Sequence, residues 1–264
     1  MGATARIGII GGAGWLGTSI ADCILAAGVA AEQDLTLSYR SSRPDRFPHA
    51  HWTSDNQQLV DRSDVVILSV RPQDWNPDLF DARGKLLISV MAGIRLSALV
   101  SAHGSERVVR ALPNAAAEVQ HSYTPWLPSP SVNADDRTIV SRIFAACGDE
   151  DEVQSESDLD YLTGLTGTGP AYPALLAAAM MKDAIAHGLS PAIAQRAVVA
   201  TMIGAGHLFE KKPDCPDDIV GRFVDYRGVT AAGIEQMRAA GFDTAVAKGL
   251  AAALQKSVSM GDAS

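Results

Sequence analysis

The chain has 264 residues, of which 47% are hydrophobic and 20% charged, with a formal net charge of -8. This is an ordinary globular composition, long enough to bury a full core and better divided into two domains than one. The acidic balance and the lack of any basic run exclude binding along a nucleic-acid backbone, so an anionic ligand has to be caught locally.

The first expected strand, Arg6–Ile10, runs straight into Gly12-Ala13-Gly14-Trp15-Leu16-Gly17, followed by a helix to about Ala27. A G-x-G-x-x-G run between strand and helix is the dinucleotide turn. Gly12 is expected to allow the tight turn, Gly14 to let the backbone approach a pyrophosphate, and Gly17 to let helix pack on strand, with Trp15 and Leu16 opening the helix toward the phosphates. The second strand, Leu35–Tyr39, ends in Arg40-Ser41-Ser42-Arg43. An NAD site would place an acid here. A cation with hydroxyls instead suits a 2'-phosphate, which favours NADP(H) as cofactor, although a solvated basic loop would read the same way.

Three more short apolar runs, Val65–Val70, Leu86–Val90 and Val108–Ala111, complete an alternation of strand and helix. That alternation predicts an α/β fold, a Rossmann-like doubly wound and mostly parallel sheet with ligands at the carboxyl ends of its strands. A Pro- and Ser-containing stretch, Pro125–Pro130, then a helix around Arg137–Cys147 and an acidic segment, Asp149–Glu152, lead to a change of pattern. From about Asp158 only helices are expected: Ala171–His187, Pro191–Leu208, Pro216–Phe223, Thr230–Ala240 and Thr244–Ser257. Gly188 can end one helix, with Ser190 capping the next and Pro191 in its first turn. The expected division is therefore residues 1–157, an NADP-binding domain, and residues 158–264, an all-α domain for substrate and dimerisation.

The helical part is rich in Ala and Gly and buries little area per residue, so a homodimer through these C-terminal helices, or a higher oligomer, is expected. Cys23, Cys147 and Cys215 are widely spaced in the sequence and fit neither a disulfide framework nor a zinc site. The six histidines show no ligand spacing, and no metal is expected. With no signal segment and no apolar run approaching the roughly 20 residues that cross a bilayer, the expected setting is cytoplasmic, away from any membrane.

Four further segments follow the glycine turn in order. They are Ser69-Val70-Arg71-Pro72-Gln73, Ser89-Val90-Met91-Ala92-Gly93-Ile94, Arg110-Ala111-Leu112-Pro113-Asn114 and Thr166-Gly167-Thr168-Gly169-Pro170-Ala171-Tyr172. With them the chain resembles the pyrroline-5-carboxylate reductase family over nearly its whole length. The resemblance implies that Val70, Arg71, Pro72, Ala92, Gly93 and Asn114 contact cofactor. It also implies that Thr166, Gly167, Thr168 and Gly169 face the substrate, their threonines keeping the hydroxyls of the family's serines; read alone, this segment is equally an interdomain hinge.

In the last matching segment Gly228, Thr230 and Gly233 hold, while Asp225, Tyr226 and Arg227 replace the family's Ser, Pro and Gly. Gly228 and Thr230 are implied as substrate contacts, Thr230 also as a proton relay, though a threonine at a helix start is often only a cap. Arg227 either holds a carboxylate, pairs with Asp225 or is solvated.

The implied reaction is hydride transfer from NADPH to the C=N bond of a small cyclic imine carboxylate, 1-pyrroline-5-carboxylate giving proline, as in proline biosynthesis. A different cyclic imine, or a non-catalytic NADP-binding or redox-sensing role on the same fold, is the alternative. A 3-hydroxyacid dehydrogenase is disfavoured, because Pro170-Ala171-Tyr172-Pro173 lacks the lysine that class needs and none follows before Lys182.

Overall fold

A computed structural model describes residues 5–211 and 214–261. Its strands and helices, in chain order, are β1 (Ile7–Ile10), α1 (Trp15–Ala26), β2 (Leu35–Ser38), β3 (His51–Thr53), α2 (Asn56–Arg62), β4 (Val65–Leu68), β5 (Leu86–Ser89), α3 (Leu96–His103), β6 (Val108–Ala111), β7 (Ser122–Pro128), α4 (Ala134–Ala145), β8 (Gly148–Glu152) and α5 (Glu156–Leu162), followed by α6 (Ala171–Ala186), α7 (Pro191–Lys211), α8 (Pro216–Asp225), α9 (Val229–Ala239) and α10 (Phe242–Gly261). The strands form one sheet in the order β3-β2-β1-β4-β5-β6-β7-β8. β1 to β6 are parallel, with Ile7 beside both Leu35 and Val65. The winding reverses between β1 and β4, and such a switch point opens a crevice at the carboxyl ends of the strands.

Parallel strands are covered on both faces, which is why these runs are almost wholly apolar. On one face Ile7, Ile9, Val65 and Ile67 pack with Ile20 and Ile24 of α1 and Phe144 of α4. On the other, Ile10, Val66 and Leu68 pack with Leu59 of α2 and Leu99 of α3. Gly17, Ile20, Ala21 and Ile24 are buried at the spacing of one helix face, so α1 lies flat on the sheet. The three cysteines are free, but Cys23 and Cys147 are not apart in space: both are buried in the same cluster. Their mutual hydrogen bond, with burial, pushes the Cys147 thiol up.

Three strands go beyond the five expected. β3 pairs with β2, and the Pro- and Ser-containing stretch is β7, antiparallel to β6. The acidic segment is β8, parallel to β7. Aspartate and glutamate are poor strand formers, and here they are held by side chains of β7 and α4. Tyr123 Oη donates to Asp151 at 2.7 Å, Ser141 Oγ and Trp126 Nε1 donate to Glu150, and Arg137 Nε donates to Glu152 at 3.0 Å. Charge on an edge strand also discourages pairing with another chain. α4 starts earlier than expected because Asn133 and Asp136 close a capping box.

By their contacts the residues group into two compact units, Met1–Thr168 with Ala253–Ser264, and Gly169–Ala252. This division falls inside the Thr166–Tyr172 segment rather than near Ser157, and it assigns the end of α10 to the first unit. There Gly164 lies against Ala253, and Ser257 Oγ donates to Asp160 at 3.3 Å.

The second unit has little interior of its own. α6 and α8 contain no buried residue, and Ala194, Val198 and Ala231 are the buried side chains of α7 and α9. Leu175 is 71% exposed and Val229 93%. Contrary to the sequence expectation, α7 is long and apolar enough to cross a membrane by length and composition, at a mean hydropathy of 1.2. Its alanines, with Ile193, Val198, Val199, Ile203 and Leu208 and a single charge before Glu210, Arg196, account for that value. Gly188 has φ +97°, and Ser190 Oγ accepts from the Ile193 amide, as expected at this helix junction.

Candidate active site

The glycine turn sits at the switch point. Gly11, just before the expected motif, carries the left-handed backbone (φ +82°), and a Cβ there would overlap the Ser69 carbonyl. The role of tight-turn glycine therefore belongs to Gly11 rather than Gly12. Gly12 is required for another reason, since its Cβ would come within 3.0 Å of the Ile9 carbonyl and of Leu37. At Gly17 a Cβ would overlap the Gly11 carbonyl, so this glycine does bring the helix onto the turn.

Ser38 at the end of β2 fastens the turn, its Oγ accepting from the Gly11 amide (2.9 Å) and its carbonyl from the Ala13 amide (3.1 Å). Thr18 N–H makes the first backbone bond of α1, to Gly14 O, and Gly14 offers no side-chain cap. The amides of Trp15, Leu16 and Gly17 are thus the free donors of a helix N-terminus, beside the exposed Gly14. A bare, glycine-lined set of amides fits the pyrophosphate of a dinucleotide.

At the end of β2, Arg40 is 80% exposed and Ser41, Ser42 and Arg43 are exposed beside it. The fold brings a second cation to this place. Arg71, after β4, donates from Nε to Asp74 at 2.6 Å, and Arg40 reaches the same carboxylate at 3.5 Å. The two guanidiniums hold Asp74 below the usual carboxylate range, Arg71 contributing most. Two arginines gathered by one acid leave a net positive corner, which fits a 2'-phosphate. Val70 is half-buried against the cluster that holds Ile10 and Leu68, and Pro72 starts the short turn that carries Asp74.

Further along the sheet edge the expected contacts are engaged within the protein. Gly93 has φ +77° and is buried, and a Cβ on it would meet Met260 of α10 at 2.7 Å; Ala92 beside it is half-buried. Asn114, 8% exposed, accepts from the Ala116 amide at 2.8 Å and donates from Nδ2 to the Thr166 carbonyl at 2.9 Å. It joins the loop after β6 to the Thr163–Gly167 segment. That segment continues α5 as a π-helical turn, in which Thr166 and Thr168 turn their hydroxyls back onto the Leu162 and Gly164 carbonyls. Gly167 is half-buried in the same turn.

Gly169, Gly228 and Thr230 belong to the second unit. Gly228 is the N-cap of α9 and Thr230 stands one place inside the helix, so Thr230 is not the cap. It lines a cavity of about 460 Å³ with Leu208, Ile219, Arg222, Phe223 and Tyr226. Arg227 is left-handed (φ +52°) at the position where the resemblance has glycine, and forms no ion pair with Asp225 among the described residues. His103 is buried and structural, taking the Trp75 indole N–H at 3.0 Å, with its pKa lowered by burial. No group of three or more His, Cys, Asp or Glu side chains that could hold a metal is gathered among the described residues.

Residues 6–93 match the family described as NADP oxidoreductase coenzyme F420-dependent, and residues 156–260 match pyrroline-5-carboxylate reductase dimerisation. The chain is 30% identical to pyrroline-5-carboxylate reductase of Arabidopsis thaliana, over 96% of this chain and 94% of that one. The chain belongs to the pyrroline-5-carboxylate reductase family. The Synechocystis sp. pyrroline-5-carboxylate reductase is 29% identical over 97% and 98% of the two chains. The Plasmodium falciparum pyrroline carboxylate reductase structure with NADP bound superposes with a TM-score of 0.85, at 26% identity and over 97% and 98% of the chains.

For a member of the pyrroline-5-carboxylate reductase family, Gly11, Ser38 and Asp74 are the residues that motif reading passed over. The doubled glycine Gly11-Gly12 was a visible signal for the first; the others depend on strand order. Relieving the left-handed strain makes Arg227→Gly more stable, by about 1 kcal/mol. Urea unfolding of the variant should show a raised midpoint at unchanged slope, and a lowered midpoint would contradict the strain.

Proposed function

We propose that this chain is an NADPH-dependent reductase that transfers hydride to the C=N bond of a small cyclic imine carboxylate, 1-pyrroline-5-carboxylate, to give proline. The observation that carries the reading is the Asn114–Thr166 hydrogen bond, which joins a loop of the cofactor sheet to the loop expected to face substrate. Similarity to pyrroline-5-carboxylate reductases along the full chain supports the choice of substrate.

Gly12, Gly14 and the amides of Trp15, Leu16 and Gly17 would hold the pyrophosphate. Arg40, Ser41 and Ser42, with Arg71, would hold the 2'-phosphate. Val70, Pro72, Ala92, Gly93 and Asn114 would shape the nicotinamide end. When bound, the reduced nicotinamide supplies the hydride. A protonated iminium is already electrophilic, so the chain has chiefly to orient it and anchor its carboxylate, a role given to Thr166, Gly167, Thr168, Gly169 and Gly228. Thr230, at the wall of an apolar cavity, is assigned a hydroxyl contact with substrate and the relay of a proton at its Oγ. Residues 1–157 serve the cofactor and 158–264 the substrate and the partner chain.

The chain acts as a homodimer, or a higher oligomer, through its C-terminal helices. A match to a dimerisation family over 156–260 supports this, as does the near absence of buried side chains in α6 and α7. Ordering a residue costs on the order of 1–2 kcal/mol, and so thin an interior cannot offset that without a second chain. The apolar surface of α7 is accordingly assigned to the dimer rather than to a membrane.

NADPH consumption with a panel of five- and six-membered cyclic imine carboxylates tests the reaction. Turnover is expected with the pyrroline acid, and tight NADPH binding without any turnover would refute it. Arg40→Ala should raise KM for NADPH about tenfold while leaving KM for NADH unchanged, the loss of one charged contact; equal effects on both cofactors would rule out the 2'-phosphate role. Thr230→Ala should lower kcat by about 10- to 100-fold, and undiminished turnover would end its assignment. Light scattering should give at least a dimer mass at micromolar protein.

A further inference from the structure

β6 places one charged side chain inside the sheet. Arg110 lies between Val109 and Ala111, is 1% exposed, and pairs across the ladder with Ser89 and Leu127. Its Nη1 forms an ion pair with Glu156 at the start of α5, while none of Nε, Nη1 and Nη2 makes a hydrogen bond among the described residues. Burial lowers its pKa to about 10, with Asp160 opposing the shift. Asp160 lies one turn beyond Glu156, so both carboxylates face the same side of α5.

Arg95, directly after the Met91–Ile94 turn, meets the same two acids: Nη1 is 2.7 Å from Asp160 and 3.5 Å from Glu156. The remaining oxygens are also used. Glu156 accepts from the Leu96 amide at 2.9 Å, and Asp160 accepts from Ser257 Oγ. Two guanidiniums and two carboxylates thus form a charge-balanced cluster in which Arg110 and Asp160 are buried and Arg95 and Glu156 half-buried.

Each arm of this cluster leads to a different wall of the candidate site. Arg95 follows Gly93, Arg110 precedes Asn114 on the same strand and loop, and α5 runs unbroken into the turn that carries Thr166. We propose that Arg110 is a positioning residue, fixing through Glu156 and Asp160 the place at which the Thr163–Gly167 turn meets Asn114. The proposal rests on the reductase reading for its effect on turnover, but not for its effect on the turn. Buried ion pairs are costly to form and costlier to break on one side, so an arginine kept here acts on geometry more than on net stability.

The test uses the full-length protein and three variants: R110M, E156Q and the double variant. Hydrogen exchange at residues 163–168 should speed up at least tenfold in R110M while the Gly11–Gly17 turn keeps its protection, whether or not the wild type reduces the imine. With the wild type active on 1-pyrroline-5-carboxylate, kcat in R110M should fall at least tenfold while the NADPH Kd stays within threefold. R110M/E156Q should be no worse than R110M alone, because both changes cut one connection. Unchanged exchange at 163–168, kcat within twofold of wild type, losses that multiply in the double variant, or NADPH binding lost in step with kcat would each overturn the proposal. If R110M does not fold, R110K, which keeps the charge and loses the planar fork, is read by the same exchange and kinetic criteria. A wild type without imine turnover but with faster exchange in R110M would refute the reductase and leave the positioning role standing.

Discussion

Where β1 ends, Gly11 turns left-handed and passes so close to the Ser69 carbonyl that no side chain fits between them. This contact is the point at which the sheet reverses its winding, because Ser69 ends the run of β4, the strand that pairs with β1 on the far side from β2. The amide of Ser69 closes the same junction by donating to the Ile10 carbonyl at 2.8 Å. Gly17 then seats α1 on the Gly11 carbonyl, and Ser38 holds the turn from β2. The free amides of the helix and the arginines at the ends of β2 and β4 are gathered around that one close approach. A phosphate site built in this way owes its charge to backbone geometry and two local cations, which is how a chain with a net charge of -8 can bind a polyanion.

Much of this could be read before any coordinates. Runs of valine, isoleucine and leucine bounded by turns are hard to mistake for anything but buried parallel strands, and five of the eight were placed within a residue or two. β8 escaped because its stability lies in tyrosine, tryptophan, serine and arginine partners that are distant in sequence, while its own residues argue for a loop. β7 escaped because Pro125 and Pro128 weaken the ladder locally.

The site divides along the same line. A glycine spacing is local and legible; which of two adjacent glycines takes the positive φ is decided by the strand that comes back beside them. Arg40 was legible as a cation in place of an acid, whereas its convergence with Arg71 on Asp74 required the parallel order of β2, β1 and β4. Arg110 was legible only as part of the segment that ends at Asn114, because its acids come from a helix more than forty residues later.

The loop between α8 and α9 departs from the pattern it resembles at three residues and is held in a left-handed turn by its own backbone. Asp225-Tyr226-Arg227 looks disruptive because a glycine is replaced by a long, charged residue. Yet the backbone at Arg227 is left-handed (φ +52°), the conformation for which glycine is the usual choice, and Gly228 still caps α9. Holding arginine there costs roughly 1–2 kcal/mol. The turn is therefore set by its surroundings, with Asp225 still ending α8 and the Arg227 amide bonded to the Val224 carbonyl at 3.0 Å. What the replacement changes is the surface offered to a ligand: a guanidinium without an ion-pair partner among the described residues now stands three positions before Thr230, where glycine would have left only amides.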